Sequence, residues 1–222
     1  MIGRSIILTT VAGLALAPVA LSAKPEPKPG EYTMTIAAKP NPVVFSKAAT
    51  ITGKLTGPDA AGVSVSLEED TTAPFGDKYS AVGDKVTTTA EGTFTIAVQP
   101  AVNTQYRAVA KTKPDTESSA LLLKVRQRVD ATVSDRTPAA GKRIRFAGAV
   151  LPAHDGAAAL IQRRKSGAWK TVARTTLADA GDAQSAFSKD VRVRRDGAYR
   201  VKVGKDADHV AGVSRRLKIN VS

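Results

Sequence analysis

Cysteine is missing from all 222 residues, so disulfides are excluded and no lipid can be attached at a cysteine near the N-terminus. Histidine is almost missing: His154 and His209, about 55 residues apart, are the only two. With no thiolate and so few imidazoles, a structural or catalytic zinc site lacks ligands; no metal and no cofactor is expected. Aromatic residues are scarce, with one Trp, four Tyr and five Phe, so Val, Ile, Leu and Ala must fill whatever cores exist. Glutamate is absent after Arg126. Beyond the N-terminus no apolar run approaches the roughly 18 residues that a membrane-spanning helix needs.

What is present begins with a leader. Arg4 precedes an apolar run from Ile6 to Leu21 that contains Pro18 and closes on Ser22 and Ala23. This is the pattern of a Sec-type signal peptide over residues 1–23, and it predicts a chain that is secreted or associated with the cell envelope. Residues 24–30 are Pro-rich and charged and read as an extended tether. The remainder is long enough for two domains of roughly 100 residues each.

The net charge of +13 is not spread evenly. From Lys24 to Arg126 there are 12 Lys and Arg against 11 Asp and Glu, a net +1. From Gln127 to Ser222 there are 20 against nine Asp, a net +11. A basic C-terminal half beside a neutral N-terminal half points to an anionic partner for one domain only.

From Tyr32 onward, short alternating apolar and polar runs are punctuated by Gly, Pro, Asn and Asp every eight to twelve positions, the rhythm of sandwich strands; no window carries a helical stripe. The expected strands of the first half lie near Tyr32–Ala38, Ala48–Leu55, Gly62–Glu68, Lys85–Thr89, Thr93–Val98, Gln105–Lys111 and Ser119–Arg126. Those of the second lie near Val129–Val133, Lys142–Val150, Ala157–Arg163, Trp169–Arg174, Ala186–Val193, Ala198–Val203 and Val213–Val221. The halves are copies of one plan: adding 93 to Phe94, Val98, Tyr106 and Arg107 lands on Phe187, Val191, Tyr199 and Arg200. Gly53 in ITGKL corresponds likewise to Gly148 in RFAGAV. Between the halves LLLKVRQRVDATV is strand-like throughout, which predicts a short, stiff junction and boundaries at 31–126 and 127–222.

Stretches such as PNPVVFSKAATITGKL, TAEGTFTIAVQPAVNTQYRAVA, LIQRRKSGAWKTVA and GAYRVKV resemble bacterial Ig-like modules of exported actinobacterial proteins. The resemblance covers nearly the whole mature chain. It implies an all-β fold of two tandem immunoglobulin-like β-sandwich domains, used as a spacer, adhesive unit or accessory domain. It brings no catalytic residues with it.

Four candidate sites compete with plainer readings. His154 and Asp155 with a nearby Ser could form a hydrolytic triad, but no nucleophile motif accompanies them, and loop histidines are the expected state. Glu68, Glu69, Asp70, Asp77 and Asp84 could hold calcium, yet they lack any EF-hand spacing and read as solvated carboxylates. Trp169, in a hairpin with Arg163, Arg164 and Lys165, could be a stacking platform for sugar; the plainer reading has its ring cover the apolar edge of the sandwich. The fourth is the basic set. By strand parity Tyr199, Val201 and Val203 face inward with Leu217, Ile219 and Val221, so Arg200, Lys202, Arg216 and Lys218 share an outer face, with Arg192 and Arg194 joining from a third strand. The plainer reading of that face is ordinary solvated surface.

The expectation is therefore a non-catalytic, monomeric protein whose basic second domain meets an anionic cell-wall polymer, a polysaccharide or a membrane surface. Nucleic acid is not expected, because no nucleic-acid motif is present and few aromatics are interleaved among the cations. The alternatives are a spacer or secreted accessory protein without a specific ligand, and a hydrolase with a site of unfamiliar form.

Overall fold

The computed structural model describes residues 31–222, so the expected leader over 1–23 and tether over 24–30 lie outside the described residues. Every regular element among the described residues is a strand. The first ten are β1 (Thr33–Lys39), β2 (Val43–Val44), β3 (Ala49–Thr56), β4 (Ser64–Asp70), β5 (Ser80–Thr87), β6 (Thr93–Val98), β7 (Thr104–Ala110), β8 (Thr116–Glu117), β9 (Leu121–Leu123) and β10 (Val125–Arg126). They are followed by β11 (Arg128–Val133), β12 (Arg143–Leu151), β13 (Ala158–Lys165), β14 (Ala168–Thr176), β15 (Ala178–Asp179), β16 (Ser185–Arg192), β17 (Gly197–Val203) and β18 (Leu217–Ile219).

Each half folds most of its strands into two antiparallel sheets. In the first half the sheets run β1-β3-β6 and β5-β4-β7-β8, with β9 also paired to β7. In the second they run β11-β12-β16-β15 and β14-β13-β17-β18. Alternation of apolar and polar residues decides which face is covered: β17 reads Tyr199, Val201 and Val203 buried with Arg200 and Lys202 between them. Two separate cores result. One is drawn from residues between Met34 and Val125 and the other from residues between Val129 and Ile219.

The repeated residues occupy repeated places. Phe94 and Phe187, Tyr106 and Tyr199 are all buried. Gly53 lies opposite Phe94 across β3 and β6, and Gly148 lies opposite Phe187 across β12 and β16. A Cβ on Gly53 would lie 2.1 Å from the Phe94 ring, and one on Gly148 would lie 2.8 Å from the Phe187 ring. The absent side chain is what leaves room for the tip of each ring against its neighbouring strand.

Three expectations shift. The strand expected at Lys85–Thr89 runs from Ser80 to Thr87, because its alternation is nearly all exposed and leaves no clear apolar signal. The last strand, expected over Val213–Val221, is confined to Leu217–Ile219, with only an isolated bridge between Val213 and Lys202 before it. The junction is interrupted at Lys124 and Gln127, giving β9, β10 and β11 in place of one long strand. β10 pairs in parallel with β2, while Arg126 also bridges to Val210 of the second half, so the two residues of β10 touch both halves.

Candidate functional site

Strand parity and pairing register place the basic residues. On β13 the side chains of Leu160, Gln162 and Arg164 alternate with buried Ala159 and Ile161 and face outward. The register sets Gln162 opposite Arg200 and Leu160 opposite Lys202 on one side, and Gln162 opposite Thr171 and Arg164 opposite Trp169 on the other. β18 follows the same rule, with Lys218 exposed opposite Ala198 and buried Leu217 opposite Tyr199. Arg200, Lys202, Arg216 and Lys218 therefore share the outer face of one sheet, together with Trp169, Arg164 and Arg174.

Trp169 departs from the expectation that its ring covers the sandwich edge. The Arg200 guanidinium lies 4.2 Å from the centre of the Trp169 ring, and Arg200 Nε donates to Gln162 Oε1 at 2.9 Å. Arg200 is held below the ordinary arginine pKa, first by burial and then by the Arg216 charge. Arg216 is thus close enough for each charge to be felt by the other. Among the described residues no ion pair involves Arg164, Arg174, Arg200, Lys202, Arg216 or Lys218.

The matching position in the first half is built from the same parts with opposite electrostatics. Arg107 lies 4.2 Å from the centre of the Tyr79 ring, as Arg200 does over Trp169. Its cross-strand neighbour, however, is Glu68, whose carboxylate accepts from Arg107 Nε at 2.7 Å, and Glu117 accepts from its Nη1 at 3.0 Å. Where the first half has Glu68 opposite its arginine, the second has Gln162. Arg107 is neutralised by two carboxylates, and Arg200 by none.

Arg192 and Arg194 do not join this face. β16 belongs to the other sheet, so Arg192 lies on the opposite side of the core from Arg200. Both residues instead border an edge groove of about 200 Å3 together with Arg163, Arg195 and Tyr199. Local alternation had correctly set their side chains outward, but which sheet a strand joins is a matter of long-range pairing.

The imagined triad is also resolved. Ser185 Oγ is fully buried; it accepts from the backbone N–H of His154 at 2.6 Å and donates to Asp155 at 2.5 Å. The His154 ring points elsewhere, so no imidazole addresses this hydroxyl and the contacts serve to pin the 152–156 turn. The acidic set of the first half does not converge either. Asp70 turns its carboxylate onto the backbone N–H groups of Thr72, Gly76 and Lys78, while Glu68 is taken by Arg107.

What sequence reasoning missed lies at the junction. His154, Asp206 and His209 come together, with the two imidazole centres 5.4 Å apart and the Asp206 carboxylate in close contact with a ring nitrogen of each. Gln127, from the stretch joining the halves, completes the cluster. The separation of about 55 residues between the histidines concealed it; the one local signal was the DADH run, in which Asp206 and His209 are three apart. No protein-family model matches the chain, and no curated protein sequence does.

Proposed function

We propose that this is an exported, non-catalytic protein of two tandem Ig-like modules, in which the outer face of β14-β13-β17-β18 binds an anionic polymer of the cell envelope. The observation that carries this reading is the contrast between the two copies of one arrangement. Both halves stack an arginine on an aromatic ring, but only the second leaves it without a carboxylate and surrounds it with Lys202, Arg216 and Lys218. A surface kept merely soluble gains nothing from such crowding, since like charges repel and mixed charges solubilise as well. Trp169, half-covered by Arg200, adds a flat ring beside the cations, a combination suited to a sugar-based polyanion.

The all-β fold with two cores supports the modular part of the reading. Among the described residues no helix is long and apolar enough to cross a membrane.

The test is retention of the full mature chain on an immobilised acidic polysaccharide, with alginate as the probe. Retention should fall steeply between about 50 and 200 mM salt, because the Debye length shrinks to about 8 Å at physiological ionic strength. Reversing Arg200, Lys202, Arg216 and Lys218 to Glu should abolish it while circular dichroism and the melting profile stay close to those of the parent. Retention unchanged by the reversal would leave these cations as solvated surface and favour a spacer.

A further inference from the structure

Both histidines of the cluster are oriented from behind. His154 Nδ1 lies 2.7 Å from the Pro152 carbonyl, and His209 Nε2 lies 2.9 Å from the Ala101 carbonyl. A carbonyl only accepts, so each of these outer nitrogens carries the proton and donates it. The inner nitrogens, His154 Nε2 and His209 Nδ1, then turn their lone pairs toward Asp206. The Asp206 carboxylate is itself held in place, with Oδ1 accepting from the backbone N–H of Asp208 at 2.8 Å and of His209 at 2.6 Å. Two imidazole lone pairs facing a carboxylate is a repulsive arrangement until a positive centre lies among them.

A fourth donor is at hand. Gln127 is only 1% exposed, its Nε2 lies 3.0 Å from His154 Nε2 and 3.3 Å from Asp206 Oδ2, and its Oε1 has no hydrogen-bond partner. Turning the amide over by half a revolution brings the unpartnered oxygen into the cluster and takes the N–H2 group out of it.

We infer that His154 Nε2, His209 Nδ1, Asp206 and Gln127 Oε1 form a binding site for a divalent transition cation of the zinc type, placed where the two halves of the chain meet. The donor set is two imidazoles, one carboxylate and one amide oxygen, which suits zinc or cobalt rather than calcium or magnesium. A tetrahedral ion with bonds near 2.0–2.1 Å sets its ligands about 3.3 Å apart. The separation of 3.2 Å between His209 Nδ1 and Asp206 Oδ1, and that of 3.0 Å between His154 Nε2 and the Gln127 amide, already approach this value. Backbone carbonyls behind both rings supply the outer partners that metal-bound histidines use. The imidazoles are largely covered, with side chains 12% and 7% exposed, while Asp206 at 35% leaves an entry path from solvent.

All four ligands belong to the second half, so such an ion would stiffen the surface of that half against which the first is docked. The loop bearing Asp206 and His209 already reaches the first half, since Asn103 N–H donates to the Asp208 carbonyl at 2.8 Å and the His209 ring meets Phe45 edge-on at 6.2 Å. Coordination adds Gln127, from the connecting stretch, and His154, from the turn after β12.

The experiment uses the full mature chain, untagged and stripped with chelator, titrated with Co2+ and then Zn2+. One equivalent of Co2+ should give the visible absorption of a distorted tetrahedral site, Zn2+ should displace it, and the melting midpoint should climb with zinc concentration. Because the chain has two histidines, long-range proton–nitrogen spectra assign them directly. Zinc should shift His154 at Nε2 and His209 at Nδ1, with the opposite nitrogens staying protonated. Asp206→Asn should weaken zinc by more than the roughly 10- to 100-fold that loss of an outer partner costs. Gln127→Leu should weaken it less, and Gln127→Glu should restore it. Absence of the cobalt bands at about 0.1 mM metal, coordination through the outer nitrogens, or ring nitrogens untouched by one equivalent of zinc would overturn the site and leave a proton-bridged His–Asp–His cluster. The spectra of the parent chain decide the matter even if a substituted chain does not fold.

Discussion

At the scale of single residues, the paired glycines and phenylalanines are the firmest test of the internal repeat. Phe187 is buried among the apolar residues of the second core, so Phe187→Ala should cost about 3–5 kcal/mol, read from denaturant melts. Gly148→Ala should also destabilise, by about 1–3 kcal/mol, because the new Cβ would lie 1.9 Å from the Asp130 carbonyl oxygen and the strand must yield. Asp70 yields a prediction in pH. The backbone N–H groups of Thr72 and Gly76 lower its carboxyl pKa, outweighing burial, which raises it; Lys78 and Asp77 lower it further. A carboxyl whose folded pKa is depressed contributes stability above its unfolded value, near 3.9, and loses it as pH falls through the folded value. The melting midpoint of Asp70→Asn should therefore lie below that of the parent above about pH 5, and the two should converge toward pH 2. A constant gap across that range would show that Asp70 acts only by shape.

Among the elements, the sheets β5-β4-β7-β8 and β14-β13-β17-β18 are the same device with different charges. That makes a transplant possible: Glu68→Gln with Glu117→Arg should give the first half an uncompensated arginine over Tyr79 and raise the salt needed to elute the chain from acidic polysaccharide. The stability cost should stay near or below about 1 kcal/mol, since these ion pairs are partly exposed. Conversely, Trp169→Ala should weaken retention while leaving both cores intact, because the ring stands on the outer face. An unchanged elution position for both variants would detach the aromatic–arginine stack from binding. Strand parity was enough to set Arg200, Lys202, Arg216 and Lys218 on one face, since it needs only period-two alternation and a hairpin. It could not assign Arg192 and Arg194, nor place Arg200 over Trp169, because those depend on which strands pair and in what register.

For the whole molecule, the question is how far the two cores depend on each other. They share no buried apolar residue, so fragments 31–126 and 127–222 should each give β-type circular dichroism and a cooperative melt. The second fragment should melt lower than it does within the full chain. It loses the Ala101 carbonyl that holds His209, the Phe45 ring beside that histidine, and the contact of Asn103 with Asp208. Failure of both fragments to fold would mean that the junction is part of one cooperative unit.

Local pattern by itself determined the all-β character, the internal repeat, the inward set headed by Phe94, Tyr106, Phe187 and Tyr199, and the imbalance of charge between the halves. Each of these follows from near neighbours along the chain, where alternation and turn residues act over a few positions. Tertiary structure alone decided that Glu68 and Glu117 quench one arginine while its counterpart stays free, and that two histidines far apart in sequence share one carboxylate. Those outcomes rest on strand order, register and the docking of one half on the other, and contacts closed over such long loops leave no periodic trace in the sequence.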